Sequence, residues 1–240
     1  MRSHDSWRCG KSSGEPALPW TDGQHRQRGF AGPDRGRQES EPDMTPEPSV
    51  APMTLTTVVA STRPGRVGRS VADWFTARAT QHEQIESHLV DLYELALPFY
   101  DEPHPPALQQ YTKSHTRAWS RIVDASDAFV FVTPEYNGGF PAPLKNAWDF
   151  LVVEWQHKPA AFVSYGGVSA GTRAVQMAKQ VVANLRMLPI GPTVSIPFVN
   201  EHVEDGAFRP AKIHEAAAEH MLEELVRTAA VMRRLRSGTC

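Results

Sequence analysis

The chain has 240 residues, with 25 Lys and Arg against 27 Asp and Glu, for a formal net charge of −2. That length suits one domain, or one domain and a tail, and the charge balance argues against nucleic acid as a partner. No uninterrupted apolar run reaches the ~18 residues of a membrane helix, and Cys9 and Cys240 support neither a disulfide framework nor a metal site, which fits a reducing cytoplasm.

The opening residues lead into no apolar segment and so lack the pattern of a secretory signal. Residues 1–52 hold seven Pro and six Gly, but only Leu18, Phe30 and Val50 among Ile, Leu, Val and Phe. So little apolar surface cannot offset chain entropy. A disordered tail over 1–52 and an ordered domain over 53–240 are therefore expected.

Thr54–Ala60 is a strand by its β-branched content. It runs into Ser61-Thr-Arg-Pro-Gly-Arg-Val-Gly-Arg-Ser70, after which Val71, Trp74, Phe75 and Arg78 mark a helix face. A strand, a small cationic loop and a helix N-terminus form an anion site by construction, because free backbone N–H groups and the positive end of the helix dipole face the loop. The loop lacks both Gly-x-x-x-x-Gly-Lys-Ser/Thr and Gly-x-Gly-x-x-Gly, which excludes the usual triphosphate and dinucleotide signatures. Ile85–Leu92 alternates as an edge strand does. The Pro-dense stretch Leu97–Pro106 follows, of a length that often borders a site, and then a helix is expected over Leu108–Ser126, carrying Tyr111, Trp119, Ile122 and Val123.

Ala128–Val132 is apolar without alternation, as strands buried on both faces are. The turn Thr133-Pro-Glu-Tyr-Asn-Gly-Gly139 comes next, then a helix with Leu144, Ala147, Trp148 and Leu151 at spacings of three and four. Ala160–Tyr165 is a fourth strand ending in Gly166-Gly-Val-Ser-Ala-Gly171. A helix over Thr172–Met187 buries Val175, Ala178, Val182 and Leu185, and Gly191–Ile196 is a fifth strand. The last helix, Pro210–Arg236, is expected to bury Ile213, Ala217, Met221, Leu225 and Met232.

Strands alternating with helices make an α/β, doubly wound domain with a five-stranded parallel sheet. In the order 2-1-3-4-5 the first, third and fourth strands are neighbours, so the loops at 61–70, 134–139 and 164–171 converge on one edge, where ligands of such sheets bind. The ten histidines show no ligand spacing, and Ser164 lacks the Gly-x-Ser-x-Gly of a nucleophile. No metal and no catalytic side chain is nominated. Glu135 suits a capping role better than that of a base.

At Ser61–Gly68, at Pro134–Gly138 with Leu144–Ala147, and at Ser164–Gly167, the sequence resembles the NADPH-dependent FMN reductase family, with its flavodoxin-like fold. It departs from that family at Ala60, where Gly is usual. By this resemblance Ser61, Thr62, Arg63, Gly65, Arg66 and Gly68 hold the flavin phosphate. Pro134, Glu135, Tyr136, Asn137 and Gly138 lie along the isoalloxazine, and Ser164, Gly166 and Gly167 close its other edge. The implied activity moves electrons from NADPH or NADH, through bound FMN, to a quinone, an azo compound, a metal oxyanion or free flavin. An electron carrier, or a redox sensor without nicotinamide turnover, is the alternative. Arg66 and Arg173 are the cations near which a 2′-phosphate could lie, though both read equally well as solvated. Family members pair through helices beside the flavin. Trp148, Phe150, Leu151, Val152, Val153 and Trp155, apolar on more than one helix face, therefore point to a homodimer.

Overall fold

The computed structural model describes residues 51–238; the expected tail, up to residue 50, lies outside them. Met53–Val59 (β1), Ile85–Asp91 (β2), Ala128–Pro134 (β3), Pro159–Tyr165 (β4) and Leu188–Ile196 (β5) form one sheet in the order β2-β1-β3-β4-β5, and every neighbouring pair is parallel. This is the flavodoxin-like arrangement expected from the strand pattern. β3 and β4 are buried at every position, which is why they read as unbroken apolar runs. β5 starts three residues earlier than expected and contains Pro189 and Pro192. An edge strand tolerates both, because its outer side needs no donors.

Gly68–Thr80 (α1) and Lys212–Ser237 (α6) cover one face of the sheet, against Leu55, Val130, Val132, Val163 and Ile196. The four-residue turn Leu92–Leu95 (α2) follows β2, and Ser114–Ala125 (α3), Ala142–Asp149 (α4) and Thr172–Asn184 (α5) pack the other face against Phe129, Phe131 and Phe162. A short antiparallel pair, Val203–Glu204 (β6) and Ala207–Phe208 (β7), lies between β5 and α6. No helix among the described residues is long and apolar enough to cross a membrane.

Three expectations about helices need correction. α3 begins at Ser114, not near Leu108. Gln109 sits in the left-handed region (φ 52°), and the N–H groups of Thr112 and Lys113 donate to the Glu102 carboxylate at 2.8 and 2.9 Å, so this backbone is held outside a helix. α5 ends at Asn184, before Arg186 at φ 60°. The buried stripe of α6 is His214, Ala218, Met221, Leu222, Leu225 and Ala229, while Ile213 is 73% exposed. Met221 and Leu225 are buried as expected, but at its start the stripe runs through His214 and Ala218 rather than Ile213 and Ala217, because His214 turns inward and accepts the Ala211 N–H at 3.1 Å on Nδ1.

Residues 97–113 form a strap over the α3–α4 side. Asn146 of α4 accepts the Tyr100 N–H at 3.0 Å and donates to the Pro98 carbonyl at 2.7 Å. The Tyr100 ring meets Phe150 edge-on, with centroids 5.3 Å apart. Within the strap Glu102 also accepts from Thr112 Oγ1 at 2.8 Å, and Tyr111 Oη donates to the buried Glu154 at 2.9 Å, as Ser120 Oγ of α3 does at 2.7 Å. Trp148, Phe150, Leu151 and Trp155 are all fully buried within the single chain. α4 ends at Asp149, so these residues do not share one helix; the four pack in one core with the strap and α3, while Val153 is 39% exposed.

At the opposite edge of the sheet Asp127 gathers two arginines of α6. Arg236 donates to it at 2.7 Å, and Arg233 bonds the same carboxylate together with the carbonyls of Ala51, at 2.7 Å, and Pro52. The Thr54 N–H reaches it at 3.0 Å. Burial opposes the aspartate's charge, but these donors outweigh it and hold the carboxyl below its usual range.

Candidate functional site

The carboxyl edge of the sheet carries a cleft of about 610 Å³. Nine of the residues singled out from the sequence line it: Ser61, Arg63, Gly65, Arg66, Pro134, Glu135, Tyr136, Gly166 and Gly167. All three expected loops thus contribute to one concavity, as parallel neighbours in the order β1-β3-β4 require.

The loop after β1 supplies one end. α1 starts there with no side-chain cap and no acidic residue in its first turn, so its terminal N–H groups remain open to an anion. Gly65, at φ 71°, has nothing within 4 Å of a notional side chain. The three loop arginines differ. Arg66 donates at 2.5 Å to the buried Asp91 carboxylate and lies over the Tyr93 ring, 4.5 Å from its centroid. Arg69 is paired with Asp73 at 2.9 Å and Glu94 at 2.7 Å. Arg63 is exposed and, among the described residues, makes no side-chain hydrogen bond or ion pair. Arg63 therefore carries the uncompensated positive charge.

The loop after β3 supplies the middle. Tyr136 is 38% exposed, and its hydroxyl is 2.8 Å from Ser61 Oγ, which fixes the ring beside the first loop. Asn137 and Gly138 do not line the cleft. They are the two central residues of a tight turn, both with positive φ (51° and 82°), closed by reciprocal bonds between Tyr136 and Gly139 at 2.8 and 3.0 Å. Asn-Gly serves the turn geometry here, since both positions need φ above zero. Glu135 does the capping work expected of it: its carboxylate accepts from the Arg173 N–H of α5 at 3.1 Å, from Arg173 Nε at 2.5 Å and from Ser169 Oγ at 3.3 Å. Burial would raise its pKa, but the arginine and the backbone donor win and lower it. Arg173 is thereby committed to Glu135.

Three further expected residues also stand off the cleft. Thr62 lines a separate apolar cleft of about 290 Å³ with Leu92, Tyr93 and Phe99. Gly68 lies beneath the Tyr165 side chain. Ser164 is fully buried in β4, its Cβ against Gly171, whose φ of 77° and crowding exclude a side chain. The cleft wall also includes Val67, Tyr165 and Phe198–Glu201, which the sequence reading did not nominate. The last of these follow β5 and join the third loop through N–H donation from Phe198 to the Gly167 carbonyl at 3.2 Å and from Val199 to that of Gly166 at 3.1 Å. Among the described residues no group of three or more His, Cys, Asp or Glu could hold a metal.

The model of the family described as NADPH-dependent FMN reductase matches residues 53–201, which contain every loop of this cleft. The chain belongs to the NADPH-dependent FMN reductase family. It is an NAD(P)H-dependent flavin oxidoreductase with FMN as cofactor. It is 35% identical over 188 residues to the NAD(P)H-dependent FMN reductase of Saccharomyces cerevisiae, covering 73% of this chain and 98% of that one. With the enzyme of the same description from Schizosaccharomyces pombe it shares 38% identity over 158 residues, 64% of this chain and 78% of the other. The fold matches that of a flavoenzyme NAD(P)H:(acceptor) oxidoreductase from Paracoccus denitrificans with a TM-score of 0.62, at 22% identity, over 75% of this chain and 98% of that one.

The cleft fits FMN on its own geometry. An uncapped helix end and an arginine side chain with no partner among the described residues suit a terminal phosphate, while Arg66 Nε and Tyr165 Oη are buried there without hydrogen-bond partners of ordinary geometry among those residues. Native proteins rarely leave such atoms unpaired unless something else meets them.

Proposed function

We propose that FMN lies in this cleft with its phosphate at Ser61–Gly68, its ring along Pro134–Tyr136 and its other edge against Gly166 and Gly167. We propose too that electrons pass from NADPH or NADH to a small acceptor: a quinone, an azo compound, a metal oxyanion or free flavin. The observation that carries this is the convergence of an uncapped α1 N-terminus and the unpaired Arg63 at one end of a cleft that Tyr136 borders. Bound FMN supplies the hydride chemistry between donor and acceptor. The chain's own residues bind and orient. The Ser61–Tyr136 hydrogen bond sets the ring that borders the cleft, and the Glu135–Arg173 pair fixes the second loop to α5. No side chain is asked to move a proton.

The enzyme works as a homodimer in this reading. Its support is the apolar cleft beside the first loop, where Tyr93 and Phe99 remain 56% and 86% exposed. A cytoplasmic setting rests on the cysteine usage. The absorption spectrum of the purified protein should show oxidised flavin, and NADPH oxidation should accelerate when a quinone is added. Flavin without nicotinamide turnover would leave an electron carrier, and a monomeric mass with full activity would remove the dimer.

A further inference from the structure

Tyr165 closes β4 immediately before Gly166 and Gly167, yet its side chain packs on the α1 face of the sheet, in the cluster that contains Val59, Val71 and Ile196. The residue is 5% exposed, and its ring runs to the first residue of α1. A Cβ placed on Gly68 would stand 2.3 Å from Tyr165 Oη, so only glycine leaves room for the hydroxyl. That hydroxyl is buried and, among the described residues, makes no hydrogen bond of ordinary geometry; Ser61 stands nearest as a hydrogen-bonding side chain, and the charges or dipoles of Tyr136, Arg66 and Asp91 also reach it. The well-formed hydrogen bond of Ser61 Oγ goes to Tyr136 Oη, at 2.8 Å. A phenylalanine would fill the same space without a desolvated donor, so packing alone does not account for the hydroxyl.

The hydroxyl's position gives the missing acceptor a place. Tyr165 lines the cleft together with Ser61, Arg63, Gly65 and Arg66, at the end where α1 begins without a cap. We propose that the Tyr165 hydroxyl donates a hydrogen bond to the flavin phosphate at the amino-terminal end of α1, and that residue 68 is glycine to admit it. Burial pushes the phenol's pKa up, so it stays a neutral donor throughout the working pH range. The inference rests on the reading of this cleft as an FMN site, and adds to the backbone and arginine contacts a side chain from a different loop.

The test is titration of apo-protein with FMN and with riboflavin, which lacks the phosphate. Tyr165→Phe should weaken FMN about 10- to 150-fold, the range for a hydrogen bond to a charged group, and leave riboflavin within about twofold. Gly68→Ala should weaken FMN strongly in the wild-type background and by less in Tyr165→Phe, where the clashing oxygen is gone. If wild type prefers FMN and Tyr165→Phe keeps that preference, this inference fails while the proposed function stands. If wild type binds the two flavins equally, the phosphate reading fails and takes this inference with it. Equal costs of Gly68→Ala in both backgrounds would overturn the role given to Gly68. Should Tyr165→Phe not fold, the wild type decides: with ring-labelled tyrosine, inorganic phosphate should shift the Tyr165 ¹³Cζ resonance, and an unmoved resonance overturns the proposal.

Discussion

The loop at 61–68 and the strap at 97–113 look alike in sequence, since both lie between regular elements and contain proline and charge. Structurally they are opposites. At the strap the buried carboxylates are saturated: Glu102 within it has three donors from Thr112 and Lys113, and Glu154, outside it, accepts from the strap's Tyr111 and from Ser120. In the loop, among the described residues, the Arg63 side chain has no partner, Arg66 Nε has none, and the first turn of α1 has no side-chain cap. Buried or clustered polar groups that satisfy one another make structure, whereas those left open describe the ligand that completes them. The strap is finished without a ligand and the loop is not.

The strongest way to break this contrast is to unpair the strap. Glu154→Ala should leave the hydroxyls of Tyr111 and Ser120 without their acceptor and cost about 2–4 kcal/mol of unfolding free energy in urea. FMN affinity of the folded protein should stay within about twofold. A parallel loss of affinity would mean that strap and cleft are not independent. The converse substitution is Arg63→Ala, which should weaken FMN about 10- to 150-fold while the melting temperature of the apo-protein holds. If riboflavin weakens equally, Arg63 does not read the phosphate.

A smaller effect sharpens the account of the strap. Glu102→Gln should cost about 1–2 kcal/mol near neutral pH, because a charged acceptor of three bonds becomes a neutral one. Burial works against the Glu102 carboxylate, but its donors hold the pKa at about 2 against an ordinary 4.5. A depressed acid stabilises fully above the unfolded value and loses that contribution as pH falls through the folded one. The wild-type advantage should therefore be constant above about pH 4.5 and shrink towards pH 2, as read by urea midpoints across that range. The smallest change is expected on deleting residues 1–50, with melting temperature moving by about 1 °C or less and flavin content unchanged. Beginning instead at Met53 removes the Ala51 and Pro52 carbonyls that Arg233 bonds and should cost about 1 kcal/mol more.

Much of the fold was legible because parallel strands buried on both faces must be apolar throughout, as β3 and β4 are. The strap was not, since it is shaped by contacts from outside the local window: Glu102 captures N–H groups ten and eleven positions away. α6 shows its helical period, but a histidine can face in and an isoleucine out, and periodicity alone does not say which. Within the site, loop chemistry marked Ser61, Arg63, Gly65 and Arg66, and the Pro-Glu-Tyr run marked the middle. Asn137 and Gly138 hold the positive φ that the turn itself requires, a need that sequence does not separate from ligand binding. Asp91 and Phe198–Glu201 carry no local signature, because they reach the cleft only through strand order and an ion pair.

Asp127 has a consequence for how this chain could be rewired. Ala51, Pro52 and Thr54 at one end of the described segment and Arg233 and Arg236 at the other all meet at or beside that single carboxylate, on the edge of the sheet away from the cleft. A circular permutant that runs from Gly238 into Ala51 through a few added residues, and opens between β6 and β7, would keep every strand neighbour and all three cleft loops. New ends would then lie near Asp205 and Gly206, a few residues along the chain from Phe198–Glu201, and a reporter domain attached there would sit beside the cleft rather than behind it.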